Sequence, residues 1–455
     1  MRTKMKKNEI YTAEITAVTS EGNGVCKIDG MVVFVPYSAI GDNIELRIVK
    51  VLKNYCFGKV ERVLSPSPGR CTVDCNSFPR CGGCVYRHLS YAAELEVKHQ
   101  VVHDAFQKIG KIDIEPLPIL GSGQTNYYRN KVQLPVGTDE NGRLIAGYYA
   151  ARSHRLVPIG QCLLQPKIFT SILSDLTEYL NQHGLSAYDE KAHTGTIRHI
   201  YLRLAEQTGQ IMIAVIATKP DDRMYGLSNF LVSRYPEMKS LFWNINSEDT
   251  NVILGKKSIL LYRNSTITDQ LCGKFFELSL HSFYQVNRLQ AERLYSLAAE
   301  LAGCGPQDTL IDLYCGVGTI GLSMADRVKR VIGVEIVPQA IENAKRNAQL
   351  NGIQNADFHC GDAKSVTAML RAEQQSADIV ILDPPRKGCE QDVLNDVCAM
   401  NPKRIVMISC NPATAARDCH YLENFGYRVL NYRAVDLFPR TMHVETIVLL
   451  QRETL

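Results

Sequence analysis

The N-terminal part of the chain alternates apolar and polar positions over short stretches separated by turn signals. This pattern covers residues 8–63, and Asp29-Gly30 stands between two apolar stretches, which is a strong hairpin signal. About five strands in about 60 residues predict a small barrel of the OB type. The sequence Ser65-Pro-Ser-Pro-Gly69 follows and indicates a linker.

From Asn287 onward the periodicity changes, and predicted helices alternate with short apolar strands. Pro338 stands at the start of one predicted helix and Gly352 after its end, the usual asymmetry of helix termini. We predict strands at 309–313, 331–334, 379–382, 404–408 and 444–450, and helices at 289–301 and 320–325. Alternation of this kind predicts an α/β fold with a parallel, doubly wound sheet.

The middle of the chain is less regular. A helix is predicted at 90–109, ending at Gly110, whereas residues 120–275 mix strands and helices without a clear repeat. The length of 455 residues is enough for two or three domains.

The composition indicates a globular protein. The apolar content of 45% is ordinary, and no apolar run approaches the roughly 20 residues of a membrane span. The basic start, residues 1–7, leads into no apolar signal core, so we expect a cytoplasmic protein without a membrane partner. In such a chain the 15 cysteines are not expected to form disulfides. The net charge of +4 permits an anionic partner without identifying one.

A glycine-rich turn follows the strand predicted at 309–313. Its spacing is Gly316-x-Gly318-x-x-Gly321, and Glu335 ends the next predicted strand. Glycines allow the backbone to approach a ligand at a helix N-terminus, and the spacing matches the dinucleotide fingerprint. An NAD-dependent enzyme is therefore one interpretation.

Acidic residues near this turn favour S-adenosylmethionine, a cationic ligand without phosphates. Asp312 lies in the strand just before the glycines, where a pyrophosphate would be repelled. Asp362 and Asp383 each follow a predicted strand, so the rim at the carboxyl ends of the strands would be acidic. Glu335 would accept hydrogen bonds from the ribose hydroxyls of this ligand. For Asp362 alone, a helix N-cap is an equally good interpretation.

Cys410 follows the strand predicted at 404–408, at the edge where open α/β sheets build their sites. One reaction that would use such a cysteine together with S-adenosylmethionine is methylation of uracil at C5. A thiolate that adds to C6 of the ring makes C5 nucleophilic enough to accept a methyl group, and a base must then remove the C5 proton. Glu445 is our first candidate for that base and His443 the second, since two residues that are two apart on a strand share a face.

A group of cysteines between residues 71 and 84 requires another explanation. Cys75, Cys81 and Cys84 are brought close by a flexible turn, and a fourth ligand would come from Cys71 or from a distant residue such as Cys162. Four thiolates can hold zinc or a 4Fe–4S cluster, and the spacing is not that of the usual zinc pairs.

Taken together, these motifs resemble the RumA/TrmA family of RNA (uracil-5-)-methyltransferases, in particular its 23S ribosomal RNA members. The resemblance covers nearly the whole chain. Its motifs are Glu21-Gly-Asn-Gly and Val33-Phe-Val-Pro-Tyr of the TRAM domain, Phe283-Tyr-Gln285-Val-Asn287, Ser409-Cys410-Asn411-Pro412 and His443-Val-Glu445-Thr446.

The resemblance implies roles for individual residues. Cys410 would be the nucleophile and Glu445 the base. Positions of the S-adenosylmethionine site would be Gln285, Tyr314, Glu335, Asp362 and Asp383. The ligands of a 4Fe–4S cluster would be Cys75, Cys81, Cys84 and Cys162, which leaves Cys71 outside the motif.

The resemblance also implies an OB-like TRAM domain at 1–64, a central domain with the cluster at 70–275 and a class I methyltransferase domain at 276–455. The expected substrate is 23S ribosomal RNA, because the tRNA branch generally lacks the cysteine cluster, and no protein partner is implied. Bases splayed out of an RNA loop could stack on Tyr127, Tyr128 or Phe283, beside Arg129 and Lys131. Alternatives are a tRNA uracil methyltransferase, an NAD-dependent enzyme, and a non-catalytic RNA-binding protein that senses redox state.

Overall fold

In the computed structural model, which describes residues 5–453, the N-terminal strands form a barrel. The six strands are β1 (Ile10–Glu14), β2 (Ala17–Val18), β3 (Asn23–Ile28), β4 (Met31–Pro36), β5 (Asn43–Val51) and β6 (Tyr55–Ser65). Their order is β1-β5-β6-β4-β3-β2. β1 and β2 follow each other in the chain but stand at opposite ends of this order, where β1 pairs with β5 and β2 pairs with β3. They therefore act as one bent strand that closes the sheet. The predicted barrel is therefore present.

The middle of the chain forms a second sheet with two helices. Its seven strands are β8 (Lys131–Thr138), β9 (Leu144–Tyr149), β10 (Leu156–Pro158), β11 (Ile197–Leu204), β12 (Ile211–Ala217), β13 (Met238–Ile245) and β14 (Lys257–Arg263). The helices are α2 (Lys167–Gln182) and α3 (Leu227–Val232), and both contribute to the core of this sheet. A separate hairpin follows, β15 (Thr266–Leu271) and β16 (Lys274–Ser279).

The C-terminal part builds an eight-stranded sheet. Its strands are β7 (Leu117–Leu120), β17 (Thr309–Leu313), β18 (Arg330–Glu335), β19 (Ala356–Cys360), β20 (Ile379–Leu382), β21 (Arg404–Ser409), β22 (Tyr427–Val435) and β23 (Glu445–Arg452). The helices of this region are α4 (Arg288–Ala302), α5 (Thr319–Met324), α6 (Pro338–Leu350), α7 (Ala363–Ala372), α8 (Gln391–Ala399) and α9 (Pro412–Glu423). Two apolar cores pack against the sheet, as in a doubly wound fold.

The strand order β19-β18-β17-β20-β21-β23-β22-β7 includes β22, which was not predicted, and differs from the predicted parallel sheet in two further ways. First, β23 runs antiparallel to both of its neighbours, so its first residue lies at the edge where the parallel strands end. Second, β7 comes from the middle of the chain and pairs with β22. Sequence periodicity does not reveal either feature, because pairing partners are chosen by tertiary packing.

Helix α1 (Tyr91–Ala105) is joined to the C-terminal region by buried charges. The Nζ atom of Lys98 lies 2.8 Å from Glu94 Oε1 and 2.7 Å from Asp436 Oδ1, and all three side chains are almost completely buried. The Tyr91 hydroxyl donates a hydrogen bond to Asp436 at 2.8 Å. Removing one partner of such a network lowers the free energy of unfolding by about 3–5 kcal/mol. The network therefore holds the start of the 436–444 loop firmly in place. No helix within residues 5–453 has the length and apolarity that crossing a bilayer requires.

Candidate active site

The predicted site residues converge on one cavity at the carboxyl edge of the C-terminal sheet. Its volume is about 740 Å³, which is within the range of small-molecule sites. All of the residues that we assigned to catalysis or to S-adenosylmethionine line it: Gln285, Tyr314, Glu335, Asp362, Asp383, Cys410 and Glu445.

One end of the cavity is formed by the glycine turn after β17. Gly316 and Gly318 have φ values of +56° and +83°, which favour glycine, and no atom lies within 4 Å of the position that a Cβ on Gly316 would take. Glu335 accepts a hydrogen bond from the backbone N–H of Gly316 at 3.2 Å and another from Val337 at 2.9 Å. Backbone groups therefore orient the carboxylate that was assigned to the ribose.

The acidic groups at this end differ in their roles. Asp362 caps α7 by accepting a hydrogen bond from the Ser365 N–H at 3.0 Å, and it also lines the cavity, so its part in ligand binding stays a prediction beside its role as N-cap. The Ser365 hydrogen bonds lower the pKa of Asp362. Asp312, in contrast, does not line the cavity. Its Oδ2 accepts from the Gly321 N–H at 2.8 Å, so it braces the turn from behind, which corrects the expectation that it would face the ligand.

These observations fit S-adenosylmethionine. Asp383 lines the cavity without a hydrogen-bond partner for its side chain among the residues that the structure describes, and burial raises its pKa to about 7. Together with Glu335 and Asp362 it makes an acidic lining, which suits a ligand with an amino group and a sulfonium better than a pyrophosphate.

Cys410 lies at the other end of the cavity. It directly follows β21, and Asn411 caps α9 while donating from Nδ2 to the Arg386 carbonyl at 2.9 Å. Burial raises the pKa of the Cys410 thiol, Glu445 raises it further, and the Arg386 guanidinium opposes both effects. The thiol is therefore next to a carboxyl and a guanidinium.

Glu445 is the first residue of β23. Ser409 of β21 pairs with Thr446 of β23, so Cys410 and Glu445 occupy the next position of the same antiparallel register. Glu445 is only 4% exposed. Burial and the Asp383 carboxylate raise its pKa to about 8, although Arg386 partly compensates.

His443 lies in the loop before β23, not on the strand, which corrects the face-sharing argument. It still lines the cavity, and its Nδ1 lies 3.3 Å from a guanidinium nitrogen of Arg386. Burial, together with Arg386, lowers the pKa of His443 to about 4. Arg386 was assigned no role in the site from the sequence, although its place three residues after Asp383, past the end of a strand, was a usable signal.

The residues expected to stack on RNA bases are brought together only in part. Phe283 is 63% exposed and, like Arg129, lines the cavity. Tyr128 is buried and its hydroxyl donates to the Pro439 carbonyl at 2.9 Å. Tyr127 and Lys131 do not line the cavity.

The four cysteines of the predicted cluster line a second, smaller cavity: Cys75, Cys81, Cys84 and Cys162. Cys71 is exposed and does not line it. The Gly83 N–H approaches the Cys81 sulfur at 3.4 Å. Across residues 5–453, no three His, Cys, Asp or Glu side chains are arranged to hold one metal ion.

The cysteine segment contacts the loop that leads to Glu445. The backbone N–H groups of Val85 and Tyr86 both donate to the Arg440 carbonyl, at 2.9 and 3.1 Å. Arg129 lines both cavities, so the thiol cavity and the active-site cavity are neighbours.

Comparison with known proteins gives two family matches. The model of the tRNA (uracil-5-)-methyltransferase family matches residues 246–453. The model of the TRAM domain matches residues 4–60.

Similar proteins match over nearly the full length. An uncharacterized RNA methyltransferase of Clostridium tetani is 41% identical over 447 residues, 98% of this chain and 97% of the relative. Another, YljE of Lactococcus lactis, is 42% identical over 448 residues, 98% of this chain and 97% of the relative. Among solved structures, the Pyrococcus abyssi tRNA (uracil-54, C5)-methyltransferase in complex with S-adenosyl-L-homocysteine has a TM-score of 0.78 and 25% identity, covering 97% of this chain and 100% of that one. The predicted fold class is thereby confirmed.

Proposed function

Because the chain belongs to the RumA/TrmA family of S-adenosylmethionine-dependent RNA (uracil-5-)-methyltransferases, we propose that it methylates C5 of a uridine through a covalent adduct with Cys410. The observation that carries this proposal is the register that sets Cys410 beside Glu445 at the edge of the cavity. A nucleophile and a base on adjacent strand ends can reach C6 and C5 of one ring.

The proposed reaction uses the two side chains in sequence. The Cys410 thiolate adds to C6 and pushes the electron pair of the C5–C6 double bond towards C5. Bound S-adenosylmethionine supplies the methyl group that C5 takes. The Glu445 carboxylate then removes the C5 proton, the double bond re-forms and the thiolate leaves. The guanidinium of Arg386 favours the anionic forms of both side chains.

In this proposal, five lining residues hold S-adenosylmethionine. Glu335 binds the ribose hydroxyls, as its backbone-fixed carboxylate suggests. Asp362 and Asp383 face the rest of the cationic ligand, and Tyr314 and Gln285 complete the wall towards the target base.

We further propose that Cys75, Cys81, Cys84 and Cys162 hold a 4Fe–4S cluster. Each thiolate of such a cluster binds a different iron, so the four thiols need not meet at one ion. The lining of their cavity includes Phe78, Tyr148 and Leu164, which would shield the cluster from water.

The cluster proposal predicts different behaviour of two cysteine variants. Cys162→Ser should lose most of the iron and acid-labile sulfide of an anaerobic preparation, together with its brown visible absorption. Cys71→Ser is the matched control and should retain all three, because Cys71 lies outside the cavity. Zinc in a colourless wild-type preparation, or equal iron in both variants, would contradict the assignment.

We propose 23S ribosomal RNA as the substrate, since the cysteine cluster is the feature that the resemblance associates with the ribosomal members. A tRNA substrate is the second candidate, and the likeness to the Pyrococcus abyssi tRNA enzyme favours it.

The substrate is decided by methyl transfer to separate pools of ribosomal RNA and tRNA, with labelled S-adenosylmethionine and identification of the product nucleoside. We expect 5-methyluridine in the ribosomal pool. Label in tRNA alone would refute the ribosomal assignment, and a product other than 5-methyluridine would refute the reaction itself.

A further inference from the structure

Residues 385–389 form a loop that carries Arg386 into the active-site cavity. We call this segment the arginine loop. The Arg386 guanidinium lies 3.3 Å from Nδ1 of His443 and next to the Cys410 thiol. In the proposed function this guanidinium favours the thiolate. Because the attraction between two charges weakens with distance, its effect depends on where the loop holds it.

The arginine loop is fastened to α9, the helix that follows the nucleophile. The Arg386 carbonyl accepts a hydrogen bond from Asn411 Nδ2 at 2.9 Å and another from the Thr414 hydroxyl at 3.4 Å. Further along the helix, Asp418 Oδ2 accepts from the backbone N–H of Cys389 at 2.8 Å. The three anchors are spaced three and four residues apart, so they lie along one side of the helix. The loop and the nucleophile are therefore mounted on the same element.

Asp418 is the anchor that lies farthest along the helix from the nucleophile. It is 2% exposed and does not line the cavity. Its Oδ1 accepts from Nε and Nη2 of Arg417 at 2.8 and 2.6 Å, and the same Nη2 donates to the Lys387 carbonyl at 3.1 Å. Gly388 permits this close approach, since its φ is +80° and a Cβ there would lie 2.5 Å from Asp418 Oδ2. The carboxylate thus holds the loop directly and also through Arg417.

We propose that Asp418 is a positioning residue for methyl transfer, which holds the arginine loop so that the Arg386 guanidinium stays beside Cys410. The inference rests on the role that the proposed function gives to Arg386. The Cys410 thiol faces Glu445 at the start of β23, Asp383 after β20, and Arg386. The two carboxyl groups raise the pKa of the thiol and the guanidinium lowers it, so this pKa reports on the position of the loop.

The test is the rate at which iodoacetamide alkylates Cys410 as a function of pH, because the thiolate is the reacting form. Trypsin releases Cys410 in the peptide 405–417 and Cys360 in the peptide 347–364, each with a single cysteine. Mass spectrometry can therefore follow each thiol separately. Cys360 does not line the cavity and is the internal control. The measurement needs neither RNA nor methyl transfer, so its result stands even if the proposed reaction fails.

Asp418→Ala should shift the midpoint of Cys410 alkylation to higher pH by about 0.5 to 1 unit, part of the roughly 1 to 3 units that an adjacent opposite charge can give. Arg386→Gln should shift it in the same direction. Adding Asp418→Ala to Arg386→Gln should cause no further shift, because the group that Asp418 positions is gone. Asp418→Asn retains a hydrogen-bond acceptor and should stay closer to the wild type. Glu423→Gln is the matched control, since Glu423 is the last residue of the same helix, beyond the three anchors.

Folding is checked by circular dichroism and by the Cys360 midpoint, which should be the same in every variant. If Asp418→Ala does not fold, Gly388→Ala replaces it, because the added Cβ would push the loop away from Asp418 and should cause the same upward shift. A wild-type midpoint in the folded variant would overturn the proposal, and so would a full shift that persists beside Arg386→Gln. An unchanged midpoint in Arg386→Gln itself would refute the role of that guanidinium in the proposed function, and this proposal with it.

Discussion

Replacing Cys410 by alanine is expected to lower kcat/KM for methyl transfer by at least about four orders of magnitude. Removal of a covalent nucleophile from a protease costs roughly 10⁶ in kcat, and uracil C5 has no other route to sufficient nucleophilicity here. The measurement is transfer of labelled methyl groups to RNA under single-turnover conditions, with circular dichroism to verify folding. Binding of S-adenosylmethionine should be unchanged, because the glycine turn and Glu335 lie at the other end of the cavity.

Cys360→Ala is a matched control for this variant. Cys360 also ends a parallel strand of the same sheet and is exposed, but it does not line the cavity. RNA that contains 5-fluorouridine supplies a second measurement. Fluorine cannot leave as a proton, so wild-type protein and Cys360→Ala should form a stable thioether with it. Cys410→Ala should form none, and a thioether in that variant, or turnover near the wild-type rate, would disprove the covalent mechanism.

The sequence predicted the strand ends of the site well where a site residue follows a short, buried, parallel strand, as Asp383 and Cys410 do. The strand at 309–313 has its predicted bounds, and Glu335 and Cys410 lie at or after predicted strands. These strands are apolar on both faces, so their boundaries are marked by the first polar residue, and parallel topology places those boundaries on one edge.

Glu445 lies beside Cys410 for a reason that the sequence does not show. Sequence periodicity cannot show that β23 inserts antiparallel beside β21, and this insertion is what brings the beginning of one strand next to the end of another. The role of Asp312 was misjudged for a related reason. An acid before a glycine turn can face either the ligand or the turn, and only the packing shows that it accepts from the Gly321 N–H.

Replacing Glu445 by glutamine is expected to lower kcat by about 10² to 10⁴, the usual contribution of a general base. Glutamine cannot remove the C5 proton, so only the last step of the reaction is affected. The methylated C5 would keep its proton, and the bond between Cys410 and C6 would persist. Natural uridine RNA should therefore accumulate on the variant as a methylated covalent complex, visible by denaturing electrophoresis. His443→Gln is the comparison for the second candidate base, and we expect it to release product without such accumulation.

The same substitution should change the pH dependence of adduct formation in a defined direction. Glu445, whose pKa is raised to about 8, gains its negative charge only as pH rises through that value, and this charge raises the pKa of the neighbouring Cys410 thiol. Glutamine carries no charge, so Cys410 should ionise at lower pH in the variant. Adduct formation with 5-fluorouridine RNA should then have its midpoint at lower pH than in wild-type protein, although release of product from natural RNA is slower. A midpoint that stays in place, or moves to higher pH, would mean that the Glu445 carboxylate does not act on the thiol across the antiparallel register.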